Sequence, residues 1–175
     1  MPETAESHLS TIPTNRACVI EIKNDSQKYC LVNPQVHMES GFSFSPPAPT
    51  LNLGKDEVLS FTKDDNTASG AVGVFTYELF CTQTRCSTEV IAVMFSVPFD
   101  YGFYSNWLAI GVFPKETECN EDLFKLMYNN DGPFVRYKAD GSGICYKGRN
   151  LDIRACMCDE GRAIVKIELY DSMGL

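Results

Sequence analysis

Residues 94–107 read MFSVPFDYGFYSNW. An apolar strand runs into Pro98-Phe99-Asp100-Tyr101-Gly102, which is a turn by composition, and Phe103, Tyr104 and the only tryptophan of the chain, Trp107, follow. Connections run over the surface and are usually polar. So many rings around one turn either pack into a core or build a surface that touches something apolar.

The flanking sequence is a succession of short strands. Ala17–Lys23 alternates with Cys18, Ile20 and Ile22 on one face, a turn follows at Asn24-Asp25-Ser26, and Lys28–Asn33 reads as a second strand. Phe42–Pro49, FSFSPPAP, is barred from the middle of a sheet because proline supplies no ladder donor. Glu57–Thr62 is a strand and the following KDDNTASG a loop. Gly70–Phe80 and Thr88–Val97 are apolar on both faces, as expected of strands lying between two layers. Phe103–Phe113, Pro133–Lys138, Ile144–Lys147 and Arg162–Tyr170 complete the set, the last with Ala163, Val165, Ile167 and Leu169 facing one way. One helix is expected over Thr117–Tyr128, capped by Thr117 or Asn120, with Leu123, Phe124 and Met127 on its apolar side. Many short strands and one helix predict a mainly β protein, an antiparallel β-sandwich with one short flanking helix. Residues 1–16 form a short N-terminal segment and 17–175 a single domain.

Composition narrows the partners. With net charge −8 the surface repels nucleic acid and anionic membranes, so a lipid target would be zwitterionic. No run approaches the roughly 18 apolar residues of a spanning helix, and the first sixteen residues do not read as a secretory signal. The expected form is soluble and associates with membranes, the compartment being open. His8 reads as tail and His37 as part of a polar loop, neither beside a nucleophile, so no enzyme activity, cofactor or metal is expected. Eight cysteines permit disulfides in an oxidising compartment, and Cys81 and Cys86 could close a small hairpin loop. Asn24-Asp25-Ser26 is a formal glycosylation sequon.

The opening stretch resembles the signature of the actinoporins, the sea-anemone pore-forming cytolysins, and of actinoporin-like proteins: a strand ending MFSVPFDY, a short step, then YSNW. GAVGVFTYEL at 70–79, IEIKNDS at 20–26, EDLF at 121–124 and VKIEL at 165–169 extend the resemblance over roughly residues 16–170. It implies binding of phosphocholine head groups, in sphingomyelin or phosphatidylcholine, and homo-oligomerisation on membranes. Carried over by position, the head-group site comprises Ser40, Val72, Ser96, Pro98, Tyr104 and Phe124, and the membrane-contacting rings are Tyr101, Phe103, Tyr104 and Trp107. Aromatic faces would hold the quaternary ammonium and hydroxyls the phosphate.

Where the family's helix carries cage tyrosines, this chain has Asn120, Phe124 and Lys125, and Lys125 is expected to set a cation near the ligand's ammonium. Sixteen helical residues before Ala17 would span only about 24 Å, against a hydrocarbon core of about 30 Å, and Pro13 interrupts them. The membrane-entering N-terminal helix is therefore expected to be missing, and pore formation is not expected. The alternative reading is a non-lytic, lectin-like module binding a glycan or protein partner with the same face.

Overall fold

A computed structural model describes residues 3–172. Two six-stranded sheets pack face to face. The first has the order β10-β11-β12-β1-β5-β3, built from β1 (Ala17–Asn24), β3 (Phe42–Ser45), β5 (Asp56–Thr62), β10 (Gly143–Lys147), β11 (Leu151–Met157) and β12 (Arg162–Asp171). The second has the order β4-β2-β6-β7-β8-β9, built from β2 (Tyr29–Ser40), β4 (Thr50–Leu51), β6 (Ala71–Cys81), β7 (Cys86–Val97), β8 (Trp107–Pro114) and β9 (Phe134–Lys138). Neighbours run antiparallel except β1 and β12, which pair in parallel from Ala17↔Arg162 to Asn24↔Leu169.

The core between the sheets follows the alternation of the strands. Cys18, Ile20 and Ile22 of β1 and Ala163, Val165, Ile167 and Leu169 of β12 all point into it. Phe61 stacks on Phe95 across the two sheets, ring centroids 4.4 Å apart. β6 and β7 are apolar on both faces because each has two layers to satisfy. Phe75, Tyr77, Ile91, Val93 and Phe95 enter the inter-sheet core. Val74, Val90, Ala92 and Met94 meet Leu123, Phe124 and Met127 of α2 (Glu121–Asn129) on the opposite side. Asn120 caps that helix by accepting the Leu123 N–H. The proline-bounded strand β3 sits at a sheet edge, as a chain lacking ladder donors must.

Three expectations are corrected and one strand is added. The strand expected from Phe103 begins at Trp107, because the backbone around Asp100 is tied into a turn that cannot extend. A strand went unread at Leu151–Met157, although Leu151, Ile153, Ala155 and Met157 alternate cleanly into the core. His37 lies in β2, paired with Val74, not in a loop. His8 lies in a five-residue helix, α1 (Ala5–Leu9), that packs on the first sheet. Its ring is buried, with Nδ1 2.6 Å from Glu3 and Nε2 2.8 Å from the Ser60 hydroxyl. The Glu6–Lys166 ion pair and three carbonyl bonds from Arg162 add to the docking of this segment.

The sequon, too, has a structural use. Asn24 is completely buried, so the folded protein presents no amide there for a glycan.

A partly buried polar pair gives the sandwich a pH response. The Tyr77 hydroxyl donates to Glu57 Oε1 at 2.8 Å, and the Ala48 N–H reaches Oε2. Burial pushes the Glu57 carboxyl above the usual carboxylate range, outweighing those two bonds. A carboxyl whose folded pKa is raised stabilises the fold below its unfolded pKa, and that contribution is lost as pH rises through the folded value. The stability difference between Glu57→Gln and the parent should therefore shift in the variant's favour from about pH 4 upward to neutrality. Thermal melts across that range check this, and a constant difference would contradict it.

Candidate functional site

One end of the sandwich carries a cavity of about 660 Å³. Its floor is a row of residues from three neighbouring strands. Ser40 of β2 pairs with Val72 of β6, and Val72 pairs with Ser96 of β7, so side chains distant in sequence share one face. Two glycines let the strand ends approach. Gly41 has φ +85°, and a Cβ there would fall 2.3 Å from the Thr62 carbonyl; at Gly70 it would fall 2.1 Å from that of Val97.

Pro98, Phe99, Asp100 and Tyr104 form one wall, Phe124 and Tyr128 of α2 the other. The two helix rings lie one turn apart and stack at 5.5 Å with 17° between planes. Among the described residues, the hydroxyls of Ser40, Ser96, Tyr104 and Tyr128 have no protein hydrogen-bond partner and are open to a ligand.

The aromatic turn forms the lip. Asp100 Oδ1 accepts the Gly102 N–H at 2.8 Å, and its carbonyl accepts the Tyr104 N–H at 3.0 Å. From behind, Arg16 donates to the carbonyls of Pro98 (3.0 Å) and Phe99 (2.8 Å) while its guanidinium lies over the Phe99 and Tyr101 rings. The Tyr101 hydroxyl donates to buried Asn106, which in turn donates to the carbonyls of Cys158 and Glu160. Burial raises the Tyr101 phenol above its ordinary pKa, keeping it a neutral donor. A backbone pinned at this many points cannot fold its outer rings inward. Phe103 is left 84% exposed and Tyr104 58%.

The six residues expected at the head-group site, Ser40, Val72, Ser96, Pro98, Tyr104 and Phe124, all line this one cavity. Of the four expected membrane-contacting rings, Tyr101, Phe103 and Tyr104 are exposed. Trp107 is not grouped with them: it is half-buried, opens β8 opposite Ser96, and packs against the cluster beneath α2. Lys125 is corrected more sharply. Its ammonium lies 2.8 Å from Glu121 in an exposed i,i+4 pair, and Lys125 is not among the residues that line the cavity. Tyr128, which the sequence reading missed, takes up the aromatic wall instead. Its spacing of four from Phe124 was the available signal, since such residues share a helix face.

Comparison with known proteins adds lineage. A family model described as sea anemone cytotoxic protein matches residues 12–171. Bryoporin of Physcomitrium patens is 30% identical over 155 residues, covering 89% of this chain and 84% of that protein. DELTA-alicitoxin-Pse1b of Phyllodiscus semoni is 42% identical over 105 residues, 60% of this chain but 43% of the toxin, so the match spans less than half of that relative's length. Among solved structures, the lipid binding protein Nakanori has a TM-score of 0.70 over 96% of this chain and 78% of its own, at 12% identity, a likeness of fold.

Proposed function

Because the chain belongs to the sea anemone cytotoxic protein family, the actinoporins, we propose that it binds zwitterionic membrane lipid, with the phosphocholine head group in the cavity and the aromatic turn among the neighbouring head groups. The observation that carries this is the juxtaposition of a hydroxyl-floored, ring-walled cavity with Phe103 and Tyr104 projecting from its lip. Phosphate oxygens would accept from Ser40, Ser96 and Tyr104, and the quaternary ammonium would lie against the stacked Phe124 and Tyr128 rings. The Asp100 carboxylate on the facing wall adds negative charge to the cavity that would receive that cation. The acidic surface disfavours anionic lipid, so the pull is specific rather than bulk electrostatic. Sphingomyelin and phosphatidylcholine share the head group, and assembly into homo-oligomers at the membrane belongs to the same proposal.

Flotation with sphingomyelin, phosphatidylcholine and phosphatidylserine vesicles tests it. Binding to the first two is expected, competed by soluble phosphocholine. Tyr128→Ala should weaken it about tenfold, the value of one good cation–π wall, while Lys125→Ala leaves it unchanged. Retention on a glycan array without vesicle binding would overturn the proposal in favour of a lectin-like module. Release of an entrapped dye from the same vesicles reads pore formation, which is a separate step that head-group binding does not require.

A further inference from the structure

The opposite pole of the sandwich holds a second chemically distinct place. β6 runs from Ala71 at the cavity to Cys81, about 33 Å away at the usual strand rise. There the chain turns through Thr82–Arg85 and returns as β7 from Cys86. Cys81 and Cys86 stand directly opposite each other in the ladder. Opposed residues in antiparallel strands have Cα atoms about 4.5–5.5 Å apart, inside the roughly 4.4–6.8 Å that a disulfide spans. The hairpin is closed by the Arg85 N–H donating to the Cys81 carbonyl at 2.8 Å, with Arg85 at φ +56°.

Neither cysteine is buried: Cys81 is partly exposed and Cys86 exposed, its Sγ 3.2 Å from the Thr84 hydroxyl. Hydrogen bonds from the Thr84 side chain and from loop N–H groups, with Lys28 nearby, hold the Cys81 thiol below its ordinary pKa. The contrast is with the more buried thiols: burial raises the pKa of Cys18 in the core and pushes that of partly buried Cys119 up to about 11. Cys145 and Cys156, also on neighbouring strands, are offset diagonally, about 7–8 Å apart between Cα atoms and outside the span of a disulfide.

We propose that Cys81 and Cys86 are a thiol–disulfide exchange site that reacts with low-molecular-weight disulfides and closes into an intrachain bond across the β6–β7 hairpin. The Cys81 thiolate attacks one sulfur of the small disulfide, forming a mixed disulfide and releasing the other half as a thiolate. The Cys86 thiolate then attacks the Cys81 sulfur, forming the intrachain bond and expelling the second half. Two electrons and two protons pass from the protein dithiol to the small disulfide, which leaves as two thiols. Thr84 sits in the loop between the two cysteines, with its hydroxyl 3.2 Å from the Cys86 sulfur.

The test is incubation of the full chain with oxidised glutathione, alkylation, and trypsin digestion. Trypsin cuts after Arg85, between the two cysteines, so the bond is read as two peptides that stay joined until reduced. The parent is expected to lose two hydrogens in intact mass. Cys86→Ser should instead accumulate a single glutathione on Cys81, and Cys81→Ser should react at residue 86 about tenfold more slowly. Circular dichroism verifies that both variants are folded. A covalent dimer, first modification at another cysteine, or a stable glutathione adduct on the parent equal to that on Cys86→Ser would each overturn the proposal.

Discussion

Replacing Phe103 and Tyr104 together with alanine is expected to lower binding to phosphocholine vesicles by about 100-fold and to move the melting temperature by no more than about 2 °C. The two effects separate because of where the rings lie. In solution Phe103 is 84% exposed and Tyr104 58%, so their truncation leaves no cavity and few lost contacts. At a membrane each ring would bury most of its surface, worth about 1.5 kcal/mol apiece, and the sum is roughly two decades in affinity. The turn itself should keep its shape in the variant. Its anchors are backbone and polar: the Asp100 cap, the Arg16 bonds to Pro98 and Phe99, and the Tyr101–Asn106 link. Vesicle flotation beside a thermal melt gives both readings. Unchanged flotation would remove the turn from the membrane contact, and a melting temperature lower by about 8 °C or more would make the rings structural.

Asn24→Ala is expected to produce the largest loss of stability, about 3 kcal/mol, or a melting temperature lower by about 6–12 °C. The side chain is fully buried where β1 ends. Its Nδ2 faces the carbonyls of Tyr29 (3.0 Å), Asn52 (3.2 Å) and Leu51 (3.4 Å), and its Oδ1 accepts the Ser26 N–H at 3.2 Å. One amide thus ties the first sheet to the start of β2 and to β4. Alanine would remove all four bonds and leave the Leu51 carbonyl and the Ser26 N–H buried without this partner. The exposed neighbour Asp25 is the control: Asp25→Ala should lie within about 0.5 kcal/mol of the parent. Equal melts for the two variants would show that the Asn24 network contributes nothing measurable.

The legibility of this protein in its sequence varied with the range of the forces involved. The alternation of β12 and the two-faced apolar character of β6 and β7 are local consequences of burial, and they identified the core and the layer beneath α2 without further information. The prolines after Phe44 likewise placed β3 at an edge. β11 is equally periodic, with Leu151, Ile153, Ala155 and Met157 on its buried face. The block at 94–107, through its resemblance, gathered six cavity residues from positions 40 to 124 into one list.

What sequence alone determined, then, was which side chains are buried and which family pattern they follow, since hydrophobic period and turn chemistry are properties of the local chain. Register and the pointing of single side chains were decided only by the tertiary structure. Lys125 turns to Glu121 and Tyr128 fills the wall because the rotation of α2 is fixed by packing Leu123, Phe124 and Met127 on the sheet. Asn24, outwardly a glycosylation site, is a buried clasp because the ends of β1, β2 and β4 converge on it. The exposure of Phe103 and Tyr104 follows from bonds supplied by Arg16 and from the 158–160 loop, far along the chain. No local pattern encodes such contacts, because each depends on where the rest of the sandwich has already placed its backbone.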